Sequence, residues 1–366
     1  MNIIQLTSHL DIGGISSYVL TLGKGLKKRG HNLYVATSSG ELLGRLREEG
    51  VTYIPIPIKT KSELSPKVFI SLVKLLKVTK EKNIDIIHAH TRVTQVLACL
   101  LSRYSGKPFI STCHGFFKRR LSRRIFPCWG KKVIAISGQV KEHLVKDFGV
   151  EEEKIKIIHN GIDIERYTKH DARYSIQKRK ELGLSSAPVI GIIARLSDVK
   201  GHVYLLEAMK SVLENMPQAQ LLIVGKGRMQ RELAGLSRQL GIKRSVFFIP
   251  PVLDTAEILP VMDVFVMPSL KEGLGLALME AMAQGLAVVG SRVGGIKSLI
   301  QDGKNGILVE PADVAGLSEA ILRLLNDAKK RADLGVDARN FIRESFSQEE
   351  MIKETEGVYL ECAGKE

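Results

Sequence analysis

Cysteine is scarce. The chain carries four (Cys99, Cys113, Cys128, Cys362) in 366 residues, and no two stand in a Cys-x-x-Cys pair. That spacing excludes a disulfide-stapled scaffold and a cysteine-built zinc site, and it suits a reducing compartment. No apolar run reaches the roughly 18 residues that a bilayer-spanning helix needs. The opening residues, MNIIQLTSHLDIGG, have neither a basic n-region nor a cleavage pattern, so no signal peptide is expected. No recognised RNA- or DNA-binding motif occurs, so nucleic acid is not expected as a partner. Acidic residues are short in one half only. Residues 1–170 hold 29 lysines and arginines against 14 aspartates and glutamates, whereas residues 171–366 hold 25 of each, so the whole net charge of +15 sits in the first half. Such asymmetry points to an anionic partner for one domain, or to a simple solubility bias.

What is present is a globular composition, 44% hydrophobic and 25% charged, in a chain too long for one ordinary core. Short apolar runs alternate with stretches of helical spacing. NIIQLTS, HNLYVATSS, VTYIPIPI, IDIIHAH, KPFISTCHG, KKVIAISG and IKIIHNG read as strands, with SYVLTLGKGLKKRG, PKVFISLVKLLKVTKEKN and VTQVLACLLSRYSG as helices among them. From Arg166 to Pro188 the text turns polar and reads as a linker with an entry helix. A second series follows: PVIGIIARL, QLLIVGKG, SVFFIPP, VFVMPSL, LAVVGSR and GILVEP as strands, and SQEEMIKETEGVYLECAG as a last helix. Strands separated by helices favour parallel sheets. The expected fold is α/β with two Rossmann-like domains. An N-terminal domain covers 1–165 and a C-terminal one 166–347, and a helical tail covers 348–366.

In open α/β sheets, ligands collect beyond the carboxyl ends of the strands. Four such loops carry suggestive residues. Gly13-Gly14 precedes a helix, where backbone N–H groups can approach an anion, although a tight turn uses the same pair. In ARLSDVKG, Arg195 ends a strand and Lys200 stands just before a helix. A phosphate there would meet two cations and a helix dipole, and one cation about 4 Å away gains roughly 4 kcal/mol at an effective dielectric near 20. A solvated Arg and Lys is the other reading. IVGKGRM has two glycines of a dinucleotide signal and lacks the third. The last stretch, PSLKEGLGLALMEAMAQG, sets Glu272 and Glu280 eight positions apart in apolar surroundings. Glu272-Gly273-Leu274-Gly275 reads as a glycine loop and Leu276–Gln284 as a helix. An acid beside a phosphate is repelled, so both glutamates are expected to face hydroxyl groups while the loop amides face an anion. A nucleotide sugar offers hydroxyls at each end and a diphosphate between them.

PSLKEGLGLALMEAMAQGLAVVGSRVGG resembles the E-x7-E signature of the retaining glycosyltransferases of family 4, which have the two-domain GT-B fold. ARLSDVKG resembles that family's Arg/Lys loop and DIGGISSYV its N-terminal glycine loop, with IIHNGID and DGKNGILVEP also in place and in order. The resemblance spans nearly the whole chain. It implies two Rossmann-like domains facing across a cleft, with acceptor on the first and donor on the second, and a last helix crossing back. It also implies that Arg195 and Lys200 hold the donor diphosphate. Glu272 with the backbone of Gly273, Leu274, Gly275 and Leu276 would hold the transferred sugar and its phosphate, and Glu280 the ribose hydroxyls. Gly14 would approach the diphosphate from the N-terminal domain. His114 matches a histidine placed near the donor sugar, or is an ordinary strand-end histidine. One departure is Lys297-Ser298, where the family often has an acidic residue.

The chemistry so implied is transfer of a hexosyl group from a nucleotide-diphosphate sugar, with UDP slightly favoured, and with retained anomeric configuration. No Asp-x-Asp occurs anywhere in the chain, so no metal or other cofactor is expected, and fixed cations and helix N-termini would meet the leaving charge. HGFFKRRLSRRIFPCWG interleaves Arg119, Arg120, Arg123 and Arg124 with aromatic residues including Trp129, a pattern that suits an anionic membrane interface. The expectation is a cytoplasmic enzyme, peripherally attached to the inner face of the cell membrane, acting on a membrane-lipid or lipopolysaccharide-type acceptor. A soluble anionic acceptor and a nucleotide-sugar epimerase on the same fold are the alternatives.

Overall fold

A computed structural model describes residues 1–119, 121–168 and 171–365, with the side chains of Leu121 and Arg124 also outside the description. The chain forms two compact units. One comprises Met1–Gly161 and the stretch from Gln348 onward, the other Ile162–Ser347. Within the second unit the two ends of the chain meet by backbone: the Ile162 amide donates to the Phe346 carbonyl at 2.9 Å, and Ile162 bridges Ser347.

Among the described residues the first unit has a seven-stranded sheet. Its strands are β1 (Asn2–Leu6), β2 (Asn32–Thr37), β3 (Thr52–Pro55), β4 (Ile86–Ala89), β5 (Phe109–Cys113), β6 (Val133–Ala135) and β7 (Ile155–Ile157), in the order β3-β2-β1-β4-β5-β6-β7. The second has six: β8 (Val189–Ile193), β9 (Gln220–Val224), β10 (Val246–Ile249), β11 (Val264–Met267), β12 (Ala287–Ser291) and β13 (Ile307–Val309), in the order β10-β9-β8-β11-β12-β13. Every strand pair is parallel. Sheets covered on both faces explain why the strands read as near-continuous apolar runs. Ile3 and Ile86 feed one core of the first unit, and their neighbours Ile4 and Ile87 feed the other. The α/β two-domain reading of the sequence therefore holds.

Three helices escaped the pattern, Leu43–Glu48, Gly138–Phe148 and the short Leu121–Ile125. The second buries only Val140 and Leu144, so its periodic signal is thin. The helix Gln348–Ala363 lies in the first unit, where Met351, Ile352, Val358, Tyr359 and Cys362 join one of its cores. Each sheet reverses its winding once, between β1 and β4 and between β8 and β11. Those reversals open crevices at the carboxyl ends of the central strands.

Candidate functional site

In the second unit the reversal places the loops after β8 and β11 side by side. The β8 loop runs through Arg195 and a 3-10 turn, Asp198–Lys200, into the helix His202–Asn215. The β11 loop crosses it, with Leu270 and Lys271 amides donating to the Val199 carbonyl at 2.9 and 3.4 Å. Gly201, at φ 71°, sits where a Cβ would fall on the carbonyl oxygen of Pro268. Only glycine allows that approach. Backbone geometry thus brings the Lys200 ammonium onto the Glu272 carboxylate, to which it donates, with side-chain exposures of 19% and 13%.

The Glu272 carboxylate also takes the Gly273 amide at 3.2 Å and lies 3.5 Å from the Ser269 hydroxyl. Its own carbonyl accepts from the Gly295 amide at 3.1 Å, and a Cβ on Gly295 would collide with the Gly273 carbonyl. The glycine pair after β12 therefore braces the loop from behind. Gly275, at φ 99°, opens the helix Leu276–Gln284 with no side-chain cap. The first-turn amides of that helix lack intrahelical acceptors and face an anion favourably.

Arg195 is exposed and, among the described residues, has no ion-pair or hydrogen-bond partner. Its loop is fixed from the other side by the G-x-G turn after β9. The Leu196 amide donates to the Lys226 carbonyl at 3.1 Å, and Cβ atoms on Gly225 or Gly227 would strike the Ala194 or Leu196 carbonyls. The IVGKG stretch thus has a packing role that its incomplete motif did not reveal. Ser197 Oγ and both ring nitrogens of His202, on either side of Lys200 in sequence, are buried without partners among the described residues. Burial, then the Lys200 charge, lowers the His202 pKa to about 4, so this ring is neutral.

Glu280 points elsewhere. Burial raises its pKa to about 7 against hydrogen bonds from Thr255 and Tyr167 and the attraction of Arg166. Arg166 in turn grips Asp254, with Nε 3.1 and 3.2 Å from the two oxygens. These four residues were missed: the sequence from Arg166 reads as linker, and Asp254-Thr255 carries no motif. Lys297 is exposed on the short helix Ile296–Leu299.

In the first unit, Gly14 begins the helix Gly14–Lys28 and is exposed, and His114 follows β5 directly. His114 Nε2 lies 3.2 Å from Nδ1 of His90, and its ring meets Tyr18 edge-on at 4.8 Å. Burial pushes its pKa down to about 3. His88, buried alongside, contacts Tyr359 at 2.6 Å and Thr112 at 2.7 Å.

The arginine-aromatic stretch requires a correction. Trp129 and Arg123 are each only 8% exposed, so neither forms part of a surface. The helix Gly138–Phe148, absent from the sequence reading, supplies the reason. Phe148 packs edge-on to Trp129 at 5.7 Å, and the Arg123 guanidinium stacks 3.8 Å over Phe117. Arg119 is exposed and pairs with Asp147. Arg120 and the Arg124 side chain lie outside the described residues.

Comparison with known proteins bears on both units. A family model described as glycosyl transferases group 1 matches residues 175–341, and one described as glycosyltransferase family 4 matches 12–166. An uncharacterized glycosyltransferase of Methanocaldococcus jannaschii is 30% identical over 95% of this chain and 94% of its own. The Escherichia coli UDP-Gal:alpha-D-GlcNAc-diphosphoundecaprenol alpha-1,3-galactosyltransferase is 28% identical over 89% of this chain and 88% of its own. Among solved structures, a glycosyltransferase from Rickettsia africae superposes with a TM-score of 0.87 at 21% identity, covering 100% of this chain and 99% of that one. Anabaena Alr3699/HepE, solved with UDP-glucose, also reaches 0.87, at 24% identity over 98% and 100%. At such identities the likeness speaks for the fold.

Proposed function

This chain belongs to glycosyltransferase family 4, and from that premise we propose that it moves a hexosyl group from a UDP-sugar to a membrane-lipid or lipopolysaccharide-type acceptor. The transfer retains anomeric configuration and needs no metal. One observation carries the donor half: the Lys200–Glu272 pair, held by crossed loops at the β8/β11 reversal beside the uncapped helix Leu276–Gln284. An ammonium and helix-start amides that lack intrahelical acceptors suit a diphosphate, and a carboxylate suits sugar hydroxyls. In the bound state Lys200 and Arg195 hold the diphosphate, and the Gly273–Leu276 backbone takes the phosphate nearer the sugar. Glu272 accepts from the sugar and Glu280 from the ribose. Gly14 and His114 are further donor contacts. Fixed cations stabilise the leaving charge without reorganising.

Support for the acceptor comes from the basic first half and from the E. coli relative, named for a diphosphoundecaprenol-linked acceptor and UDP-Gal. A soluble anionic acceptor is the competing reading. It is favoured by relatives named D-inositol 3-phosphate glycosyltransferase and N-acetyl-alpha-D-glucosaminyl L-malate synthase, at 27% and 29% identity. Thermal shift against UDP-hexoses tests the donor, since a ligand of the native state raises the midpoint. Product NMR with lipid-linked and soluble phosphorylated acceptors then tests the rest. A β-linked product from an α-linked donor sinks retention, and turnover on soluble acceptors alone sinks the lipid reading.

A further inference from the structure

The helix Pro66–Glu81 buries Val68, Ser71, Leu72, Leu75 and Thr79 against the first unit. Its opposite face is not the charged face expected of a solvated helix. Phe69, Ile70 and Val73 are 51%, 58% and 70% exposed, and Leu64, just before the Ser65 cap, is 83% exposed. Positions 69, 70 and 73 share one side of the helix, and 77 and 80 continue it. The outward face is therefore apolar for its first two turns and lysine for its last two.

A second segment extends the apolar end. Ile125 and Phe126 are 64% and 65% exposed. The Arg92 guanidinium donates to Glu63 at 2.9 Å, to the Phe126 carbonyl at 2.7 Å and to the Pro127 carbonyl at 3.0 Å. One largely covered guanidinium thus joins the side chain of Glu63, the residue before Leu64, to the Phe126 carbonyl. Single exposed apolar residues are ordinary on a monomer, but several gathered on one helix face and at the neighbouring Arg92-linked segment suit an interaction surface.

The charges beside it say what covers it. Lys61, Lys67, Lys77 and Lys80 are exposed around the group, and Lys74 reaches the Pro55 carbonyl at 2.6 Å. The nearby acids are Glu63, taken by Arg92, and Glu81, 3.7 Å from Lys77. A second copy seated face to face would bring these lysines toward their own kind. Along the helix axis, Val73 and Lys80 are separated by about 10 Å at 1.5 Å per residue. That rise is comparable to the roughly 5–10 Å by which amphipathic surfaces enter the headgroup/acyl boundary.

We propose that this face docks the protein on an anionic lipid bilayer, with Leu64, Phe69, Ile70, Val73 and Phe126 at the acyl boundary and the lysines at the headgroups. The proposal rests on the membrane-acceptor reading above and moves the contact away from Trp129 and Arg123.

The test is co-sedimentation of the full chain with phosphatidylcholine vesicles, with and without about one third phosphatidylglycerol, at low and high salt. The double variant Ile70→Asp/Val73→Asp should partition at least about tenfold more weakly than the parent, and Lys77→Glu/Lys80→Glu should lose the preference for anionic vesicles. Both variants should keep the parent's thermal shift with UDP-glucose, because neither pair touches the donor loops. Parent binding that the Ile70/Val73 variant retains in full overturns this face and leaves the membrane-acceptor reading standing. A parent that binds no vesicle overturns both, while its donor shift still reports on the transferase site. A parent dimer in light scattering that the Ile70/Val73 variant turns into a monomer assigns the face to a second copy and overturns the proposal.

Discussion

Lys200 donates to the Glu272 carboxylate across two loops that the Val199 carbonyl ties together by backbone. In the proposed function the two charges have opposite tasks toward a nucleotide sugar, one on phosphate and one on hydroxyl. Pairing holds both side chains in place before the donor arrives, so less ordering remains to be done on binding.

Removing the ammonium therefore does two things. Lys200→Ala deletes the proposed phosphate contact and leaves the largely buried Glu272 carboxylate uncompensated. We expect kcat/KM to fall roughly 100-fold. The Glu272→Gln variant loses the sugar contact instead. Because the two residues interact, the double variant should be clearly less impaired than the product of the single losses. Steady-state kinetics of the four proteins decide it, and a Lys200→Ala enzyme within twofold of the parent would remove the diphosphate assignment.

Glu280 gives a prediction with two opposite slopes. Its pKa is raised by burial to about 7, so the folded state holds this proton more tightly than the unfolded chain does. Its contribution to stability is full below the ordinary carboxylate range and is lost as pH rises through about 7. The ionised form is the better acceptor of ribose hydroxyls, so donor affinity should climb over the same interval, by roughly tenfold from pH 6 to 8. Thermal melts with and without UDP-glucose across that range should diverge, and Glu280→Gln should flatten both trends. Parallel trends in the variant and the parent would detach Glu280 from the ribose.

The divided legibility of the site has a physical basis. Alternation of short apolar runs with helical spacing revealed both sheets, because strands covered on two faces have no polar side to blur them. Glycine-rich turns at strand ends stand out in a sequence, which is why Gly14, Arg195, Lys200 and the Glu272 loop could be named as candidates. Arg166, Tyr167, Asp254 and Thr255 carry no such mark: they reach Glu280 from distant parts of the unit through tertiary packing alone. The arginine-aromatic stretch misled for the same reason. Arg123 and Trp129 look amphipathic in sequence, but Phe117 and Phe148 enclose them. The helix Pro66–Glu81 has an inner and an outer apolar face, which its sequence alone does not separate.

Two glycines should respond in opposite ways. Gly201 is at φ 71° and its missing Cβ would overlap the Pro268 carbonyl. Gly201→Ala combines left-handed strain with a clash against backbone, so we expect a loss of at least about 2 kcal/mol and a lowered melting midpoint. Gly13 is extended, with nothing within 4 Å of a Cβ position. Gly13→Ala should melt like the parent. If the glycine turn receives the diphosphate, the same variant should bind UDP-glucose several-fold more weakly. Calorimetric melts and titrations separate the two cases, and a Gly13→Ala protein with parental affinity would make that loop a simple turn.

His114 is the residue on which pH profiles speak most directly. It sits against Tyr18 and His90, and burial holds its pKa near 3. The folded pKa lies below the ordinary imidazole value, so the neutral ring prevails from about pH 4 upward, and protonation would cost stability as pH falls. A neutral imidazole can donate or accept one hydrogen bond to a sugar but cannot act as a fixed cation on phosphate. The rate profile should therefore show no acid limb near pH 6.5 that His114→Asn removes. His114→Asn, which keeps a hydrogen-bonding tip, should retain more activity than His114→Ala, with the gap appearing in kcat more than in KM if the contact tightens at the transition state. Equal activity in both variants would return His114 to a structural place in the column with His90. A limb near pH 6.5 that vanishes on substitution would mean that the bound donor draws a proton onto this ring.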